Sequence, residues 1–316
     1  MAVSSAPGNI FLLGEHSVVY GRSAIIAAIG LKTFCRAEKI SEKSLEIASA
    51  GYGKFESKLE NLKKPTEYQS PLDPIIDLFA EFSGKFNLKT GVRLEISSNI
   101  PRNSGGMSSS TAVLSSVLDA LNKLRPCLEK ESYYGFLLPF QQKIHGGKAS
   151  GAEIFSSTFG GYNKIRINPL QREGLGNIEL PIMIVNTGVE AKTAETVPYV
   201  KSGWTLDMES YEEVFDRIQS LVEEGEKAIK TTDLVKLGKL MSENHQILAY
   251  DLGVSHPKLN KVIKVALDSG AYGAKLSGGG KGGAAIILAD KTKQEKIAER
   301  LSFCHVYKTE IGVAGL

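Results

Sequence analysis

The segment Gly105-Gly106-Met107-Ser108-Ser109-Ser110-Thr111 carries the plainest chemical signal in this chain. It opens a run whose spacing predicts a helix over Ser109 to Leu124, with Val113, Val117, Leu121 and Leu124 on one stripe. The first amides of a helix have no internal partner, and the helix dipole makes that end electropositive. Glycines let a phosphate approach the backbone, and small hydroxyl side chains add donors without bulk. A serine there can also reach a Mg²⁺ ion, which prefers oxygen ligands. One serine would suffice as an ordinary helix cap. Three in a row after two glycines exceed that need, so the segment reads as a phosphate seat. It lacks the GxxxxGK[ST] pattern of a Walker loop, and the chain has no protein-kinase signature.

Three further segments carry reactive groups. Ile10 to Leu13 reads as a buried strand that ends in Gly14 and delivers Glu15 beside His16. That pair is either part of a site or a solvated strand-to-turn junction. His145-Gly146-Gly147-Lys148-Ala149-Ser150-Gly151-Ala152-Glu153 offers an imidazole, an ammonium, a hydroxyl and a carboxylate. Taken alone it reads as a loop. Lys275-Leu276-Ser277-Gly278-Gly279-Gly280-Lys281-Gly282-Gly283 contains a GxGxxG match, yet it runs into the strand-like Ala284 to Leu288. A dinucleotide loop opens a helix, so that reading is rejected. Its five glycines exceed what a hairpin needs and point to close approach of a ligand or another backbone segment.

The elements that must position these groups are mixed. Strands are expected at Ala24 to Ala37, Gly91 to Ser97 and Ile182 to Val185, and a helix at Pro74 to Phe86. A helix-rich stretch runs from about Ser210 to Gly270, and the sequence closes as strand, glycine turn, strand, helix, strand. Without strict alternation this is an α+β chain. The polar run Asn168 to Asn177 is taken as the boundary between domains 1–170 and 171–316. Length suits two cores: 316 residues, 42% hydrophobic and 23% charged. A net charge of +3 argues against a general nucleic-acid binder. Cys35, Cys127 and Cys304 form no CxxC pair, so a reducing cytoplasm fits and a disulfide framework does not. No signal-peptide pattern opens the chain, and no apolar run is long enough to span a bilayer.

Taken together and in order, the strand with Pro7-Gly8 and Gly14-Glu15-His16-Ser17-Val18-Val19-Tyr20-Gly21, the serine loop, the His145 to Glu153 segment and the final glycine loop resemble the GHMP kinases. That family includes galactokinase, homoserine kinase, mevalonate kinase and phosphomevalonate kinase. The Gly14 to Gly21 segment and Ser156-Ser157-Thr158-Phe159-Gly160-Gly161 look most like its mevalonate kinase branch. The resemblance implies a two-domain fold, N-terminal like domain 2 of ribosomal protein S5 and C-terminal ferredoxin-like. It implies ATP and Mg²⁺, with ATP on Gly105, Gly106, Met107, Ser108, Ser109, Ser110 and Thr111, and the metal near Ser109 or Ser110. It implies Glu153 and Lys148 as catalytic groups. It puts a small isoprenoid precursor near Asn9, Glu15, His16, Arg102, Ser150 and Gly279. No nucleic acid or membrane is implied, and a homodimer is left open.

This chain departs from the pattern in one direction. Asn9 stands where relatives have lysine, Glu153 where they have aspartate, and Gln141 or Gln142 where they have a metal-binding glutamate. Arg102, Lys148 and Lys281 are added cations. The expected acceptor is the 5-hydroxyl of mevalonate. An already phosphorylated mevalonate is the alternative, with Arg102 or Lys148 on its extra phosphate, unless those cations are merely solvated or replace the lost lysine. A sugar or homoserine kinase and a non-catalytic sensor are the remaining readings.

Overall fold

Strand β2 (Ser23–Ile40) is the spine of the first half in the computed structural model, which describes residues 1–102, 105–147, 149–176, 178–191 and 193–316. Strand β1 (Ala2–Leu13) pairs antiparallel along one edge of β2. The other edge is shared. β6 (Tyr162–Ile167) takes Ser23 to Ala27, and β5 (Gly91–Ser98) takes Thr33 to Ile40. β3 (Ser44–Ser49), β4 (Gly53–Lys58) and β7 (Leu170–Gly174) extend the sheet to seven strands. Burial along β2 follows its cover. Its first seven residues are buried on both faces, and from Thr33 to Ala37 alternate residues are exposed. Helix α2 (Ser109–Leu124) and helix α4 (Ala152–Phe159) pack on it, as does α6 (Met208–Lys230) from the second half. A strand covered on both faces reads as a continuous apolar run, which is what Ala24 to Ile29 shows.

The gap on β2 between β5 and β6 is filled from far away in sequence. Ile311 bridges Ile29, Gly30 donates its N–H to the Glu310 carbonyl, and Gly312 donates to Ala28. A Cβ on Gly30 would lie 2.7 Å from the Thr309 hydroxyl, so glycine lets the crossing segment approach without displacing that side chain.

The second half holds a four-stranded antiparallel sheet in the order β11 (His305–Tyr307), β8 (Ile182–Asn186), β10 (Ala284–Leu288), β9 (Gly273–Leu276). In order of sequence that is 4-1-3-2, the ferredoxin-like arrangement the resemblance implied. Helices α5 (Thr193–Leu206), α6, α7 (Leu234–Gln246) and α8 (Pro257–Asp268) lie between β8 and β9, and α9 (Lys291–Arg300) before β11. The halves are welded by one continuous apolar core. Tyr20 stacks on Phe215 with ring centroids 4.4 Å apart, and Arg22 pairs with Asp216 at 2.7 Å. Among the described residues no helix is long and apolar enough to cross a membrane.

Two expectations change. The polar run is no linker from Asn168 to Gly174: the cut at 170/171 falls in the β6–β7 hairpin, and both strands belong to the first sheet. The segment before Glu153 is only partly a loop, because Glu153 lies in the first turn of α4. Helices α1 (Asp73–Phe86) and α3 (Tyr133–Ile144) complete the first half, α1 close to its expected span.

Candidate active site

Two glycine-rich loops from opposite halves interlock to make the floor of the site. A Cβ on Gly106 would lie 2.2 Å from the Ser277 carbonyl, and one on Gly278 would lie 2.8 Å from the Gly106 Cα. Gly105 and Gly283 meet in the same way, with Ala191 packed beside both. Gly106 is therefore required by the second loop and Gly105 by Ala191, in addition to any ligand. Ser277 locks the contact: its hydroxyl donates to the Gly106 carbonyl at 3.1 Å and accepts from the Phe11 N–H at 3.1 Å.

Gly105 to Thr111 all line one cavity of about 160 Å³ at the start of α2. Ser108, at the helix cap in a left-handed conformation (φ 52°), does not cap the helix with its side chain. Its hydroxyl donates instead to Asn9 Oδ1 at 2.9 Å. Ordinary capping thus does not account for the serines, and the helix amides face the cavity without a side-chain cap. Asn9 is fully buried and lines neither cavity of the site. It bridges the serine loop to α4, with Nδ2 donating to the Glu153 carbonyl at 3.3 Å. An amide can accept from a hydroxyl and donate to a carbonyl at once, which the ammonium of a lysine cannot.

A second, smaller cavity adjoins the first. Glu15, His16, Ser150 and Gly279 line it, with Val18, Val19 and Val197 as its apolar part. Five residues line both cavities: Phe11, His145, Glu153, Gly278 and Gly279. The Glu153 carboxylate thus stands where the two meet. Gln141 holds it. Its buried Nε2 donates to Glu153 Oε2 at 3.2 Å and to the Thr111 hydroxyl at 3.0 Å. The carboxylate fixes which way that amide points, and Gln141 Oε1 is left buried without a protein partner. Burial holds the His145 imidazole below its ordinary pKa, against the pull of Glu153.

Glu15 is spoken for by a residue that sequence reasoning passed over. Lys275 on β9 is fully buried and ion-pairs with Glu15 Oε1, and it donates to the Leu276 carbonyl at 2.6 Å. Burial raises the Glu15 pKa and lowers that of Lys275, each opposed by the other's charge. The available signal was a lone lysine inside an apolar strand, Gly273-Ala274-Lys275-Leu276. His16 follows with a positive φ (60°) and donates Nε2–H to the Gly279 carbonyl at 3.1 Å. Burial lowers its pKa to about 4, so it is neutral at pH 7.

The structure does not bring Arg102 to the smaller cavity. Its guanidinium donates to the Ala50 and Gly51 carbonyls at 2.9 and 3.0 Å, on the wall of a separate cavity beyond Ser109 and Ser110. The expected contact with an acceptor phosphate therefore lacks support, because this side chain is held on the far side of the serine loop. Lys148 lies outside the described residues. Lys281 lies over the Tyr199 ring at 4.2 Å and ties the second glycine loop to α5.

Known proteins match along the whole chain. Residues 73–161 match the GHMP kinases N terminal domain, and residues 226–306 the GHMP kinases C terminal. The mevalonate kinase of Pyrococcus furiosus is 32% identical over 330 residues, covering 99% of this chain and 97% of that protein. The solved Methanococcus jannaschii mevalonate kinase covers 98% of each chain with a TM-score of 0.84 at 25% identity. Lactococcus lactis galactokinase, solved with galactose, covers 99% of this chain and 94% of its own, at a TM-score of 0.85 and 20% identity. Equal structural likeness to kinases of different names shows that the fold leaves the acceptor open. Identity sustained through both halves, over motifs that meet at one site, makes this chain a member of the GHMP kinase family and an ATP-dependent phosphotransferase.

Proposed function

We propose that the protein is a mevalonate kinase, moving the γ-phosphoryl group of ATP to the 5-hydroxyl of mevalonate. The observation that carries this reading is the place of Glu153, where the phosphate seat and the smaller cavity meet. The smaller cavity combines valine walls with His16 and Ser150, which suits a short branched hydroxy acid. Its methyl and methylene groups would lie against Val18, Val19 and Val197, and its oxygens near the polar side.

The residues divide the work. The α2 amides and Ser108 to Ser110 cradle the β- and γ-phosphates. A Mg²⁺ ion fits the oxygen donors here, the Ser109 and Ser110 hydroxyls on the wall of the seat. Ser109 and Ser110 would hold it, and when bound it neutralises charge on the phosphates. The acceptor oxygen bonds to the γ-phosphorus as the bond to the β-phosphate oxygen breaks. Its proton passes to Glu153, and ADP leaves. Asn9 and Gln141 hold α4 and the carboxylate in place. The base of ATP is assigned to the cavity of about 310 Å³ beyond Ser109 and Ser110, lined by Tyr52, Tyr68, Ile100 and Val113. A cytoplasmic setting suits the three unpaired cysteines.

The test is ADP release with mevalonate, mevalonate 3-phosphate, mevalonate 5-phosphate and galactose as acceptors. Mevalonate is expected to have the highest kcat/KM. A preference for either phosphate or for galactose overturns the acceptor assignment.

A further inference from the structure

Arg102 is an added cation with no place in the acceptor cavity, and its surroundings are built to receive it. The β3–β4 turn runs Ser49-Ala50-Gly51-Tyr52, closed by the Tyr52 N–H on the Ser49 carbonyl at 3.0 Å. The carbonyls of its two central residues both accept from Arg102, through Nη2 and Nη1. The guanidinium carbon lies 5.0 Å from the centre of the Tyr52 ring. Gly51 has φ +79°, and a Cβ there would lie 1.2 Å from Arg102 Nη2. The seat thus exists only while residue 51 lacks a side chain. The guanidinium is held by two carbonyls and lies over a ring, so its place at the cavity wall is fixed. Arg102, Tyr52 and the serines of the phosphate seat all line the same cavity.

We propose that Arg102, seated on this turn, stacks against the base of the donor nucleotide and sets donor affinity, and that it takes no part in acceptor binding. Planar guanidinium groups stack on aromatic rings and bases, whereas a lysine ammonium offers only a point charge. The proposal rests on the reading that ATP is the donor and that its base occupies this cavity. It also gives the departure from the family pattern a different meaning from an extra acceptor phosphate.

The experiment is calorimetric binding of ADP and of inorganic pyrophosphate to the intact protein without acceptor, followed by KM for ATP and for mevalonate. Arg102→Ala is expected to weaken ADP about tenfold, the scale of one base-stacking contact. Pyrophosphate binding and the KM for mevalonate stay unchanged. Arg102→Lys should behave like the alanine variant. Gly51→Ala should give the same loss, because the added methyl displaces the end of a flexible side chain. Thermal unfolding of each variant checks that the fold persists, and Arg102→Ala stands as the test if Gly51→Ala does not fold. The assignment is overturned if Arg102→Ala leaves ADP binding intact. Equal weakening of ADP and pyrophosphate overturns it too, since that marks a phosphate contact, and so does a raised KM for mevalonate alone. Val113→Phe, which narrows the cavity, separates the two levels. If it weakens ADP while Arg102→Ala does not, only the Arg102 role falls. If neither matters, the base lies elsewhere.

Discussion

The phosphate seat and the acceptor pocket share a wall at Glu153 but are built on opposite principles. The seat is seven consecutive residues, and what it offers is neutral: amides, hydroxyls and glycine backbone. Its ligand brings the charge. The acceptor pocket is lined from β1, the turn after it, the start of α4, α5 and the second glycine loop, and it buries ionisable groups. The Glu15–Lys275 pair is 2% and 0% exposed, and His16 lies beside it. A site that must place a proton acceptor accurately has taken charge out of water, and every such charge needs a partner. Catalytic precision and folding stability are therefore coupled on the acceptor side and nearly independent on the donor side.

That contrast can be broken by substitution. Lys275→Met leaves Glu15 buried and unpaired, so it should cost about 4 kcal/mol, read as a fall in Tm of roughly 10 °C. The double variant Glu15→Gln with Lys275→Met should recover most of the loss. If the single variant is as stable as the parent, the pair is not a structural charge. Next, Glu153→Gln should lower kcat about 10²- to 10³-fold with ADP affinity unchanged, since it removes a proton acceptor and leaves the seat alone. Loss of ADP affinity instead would merge the two regions. The third effect is pH dependence. His16 and His245 are both held by burial at about 4 when folded, below the ordinary 6.5. The unfolded chain then binds more protons between those values. Stability is full above pH 6.5 and declines as pH falls toward 4, by about 1.4 kcal/mol per pH unit for each imidazole. Tm measured from pH 7.5 to 5 should show this slope, and His16→Gln should make it shallower. The smallest change is expected from Ser108→Ala, which removes one hydrogen bond to Asn9. About 1 kcal/mol is at stake, seen as a fall in Tm of roughly 2 °C with a modest rise in KM for ATP.

The sequence disclosed contiguous features and concealed dispersed ones. The serine loop and α2 were legible because cap, glycines and apolar stripe sit side by side. β5 was legible from its alternation. Helices α3 and α5 were not, since Pro139 and Pro198 interrupt them internally. The hairpin of β6 and β7 looked like a linker because every residue of β7 is exposed. For the site, the family pattern supplied Glu15 and His16, but the partner of Glu15 lies 260 residues away and nothing local pairs them. The roles of Asn9 and Gln141 were equally hidden. Each reads as the loss of a charged residue until its two hydrogen bonds are seen.

The segment that fills the gap on β2 has a consequence for how the protein is made. Ala28 to Gly30 are translated early, and their pairing partners at Glu310 to Gly312 emerge only after the whole second half. Until then the central strand of the first sheet carries an open edge, and such edges attract other strands. The first half can collapse during synthesis but cannot finish. The bridge to Ile311 can form only once residues 310–312 have been made, so a chain stalled before that point keeps this edge open to other strands.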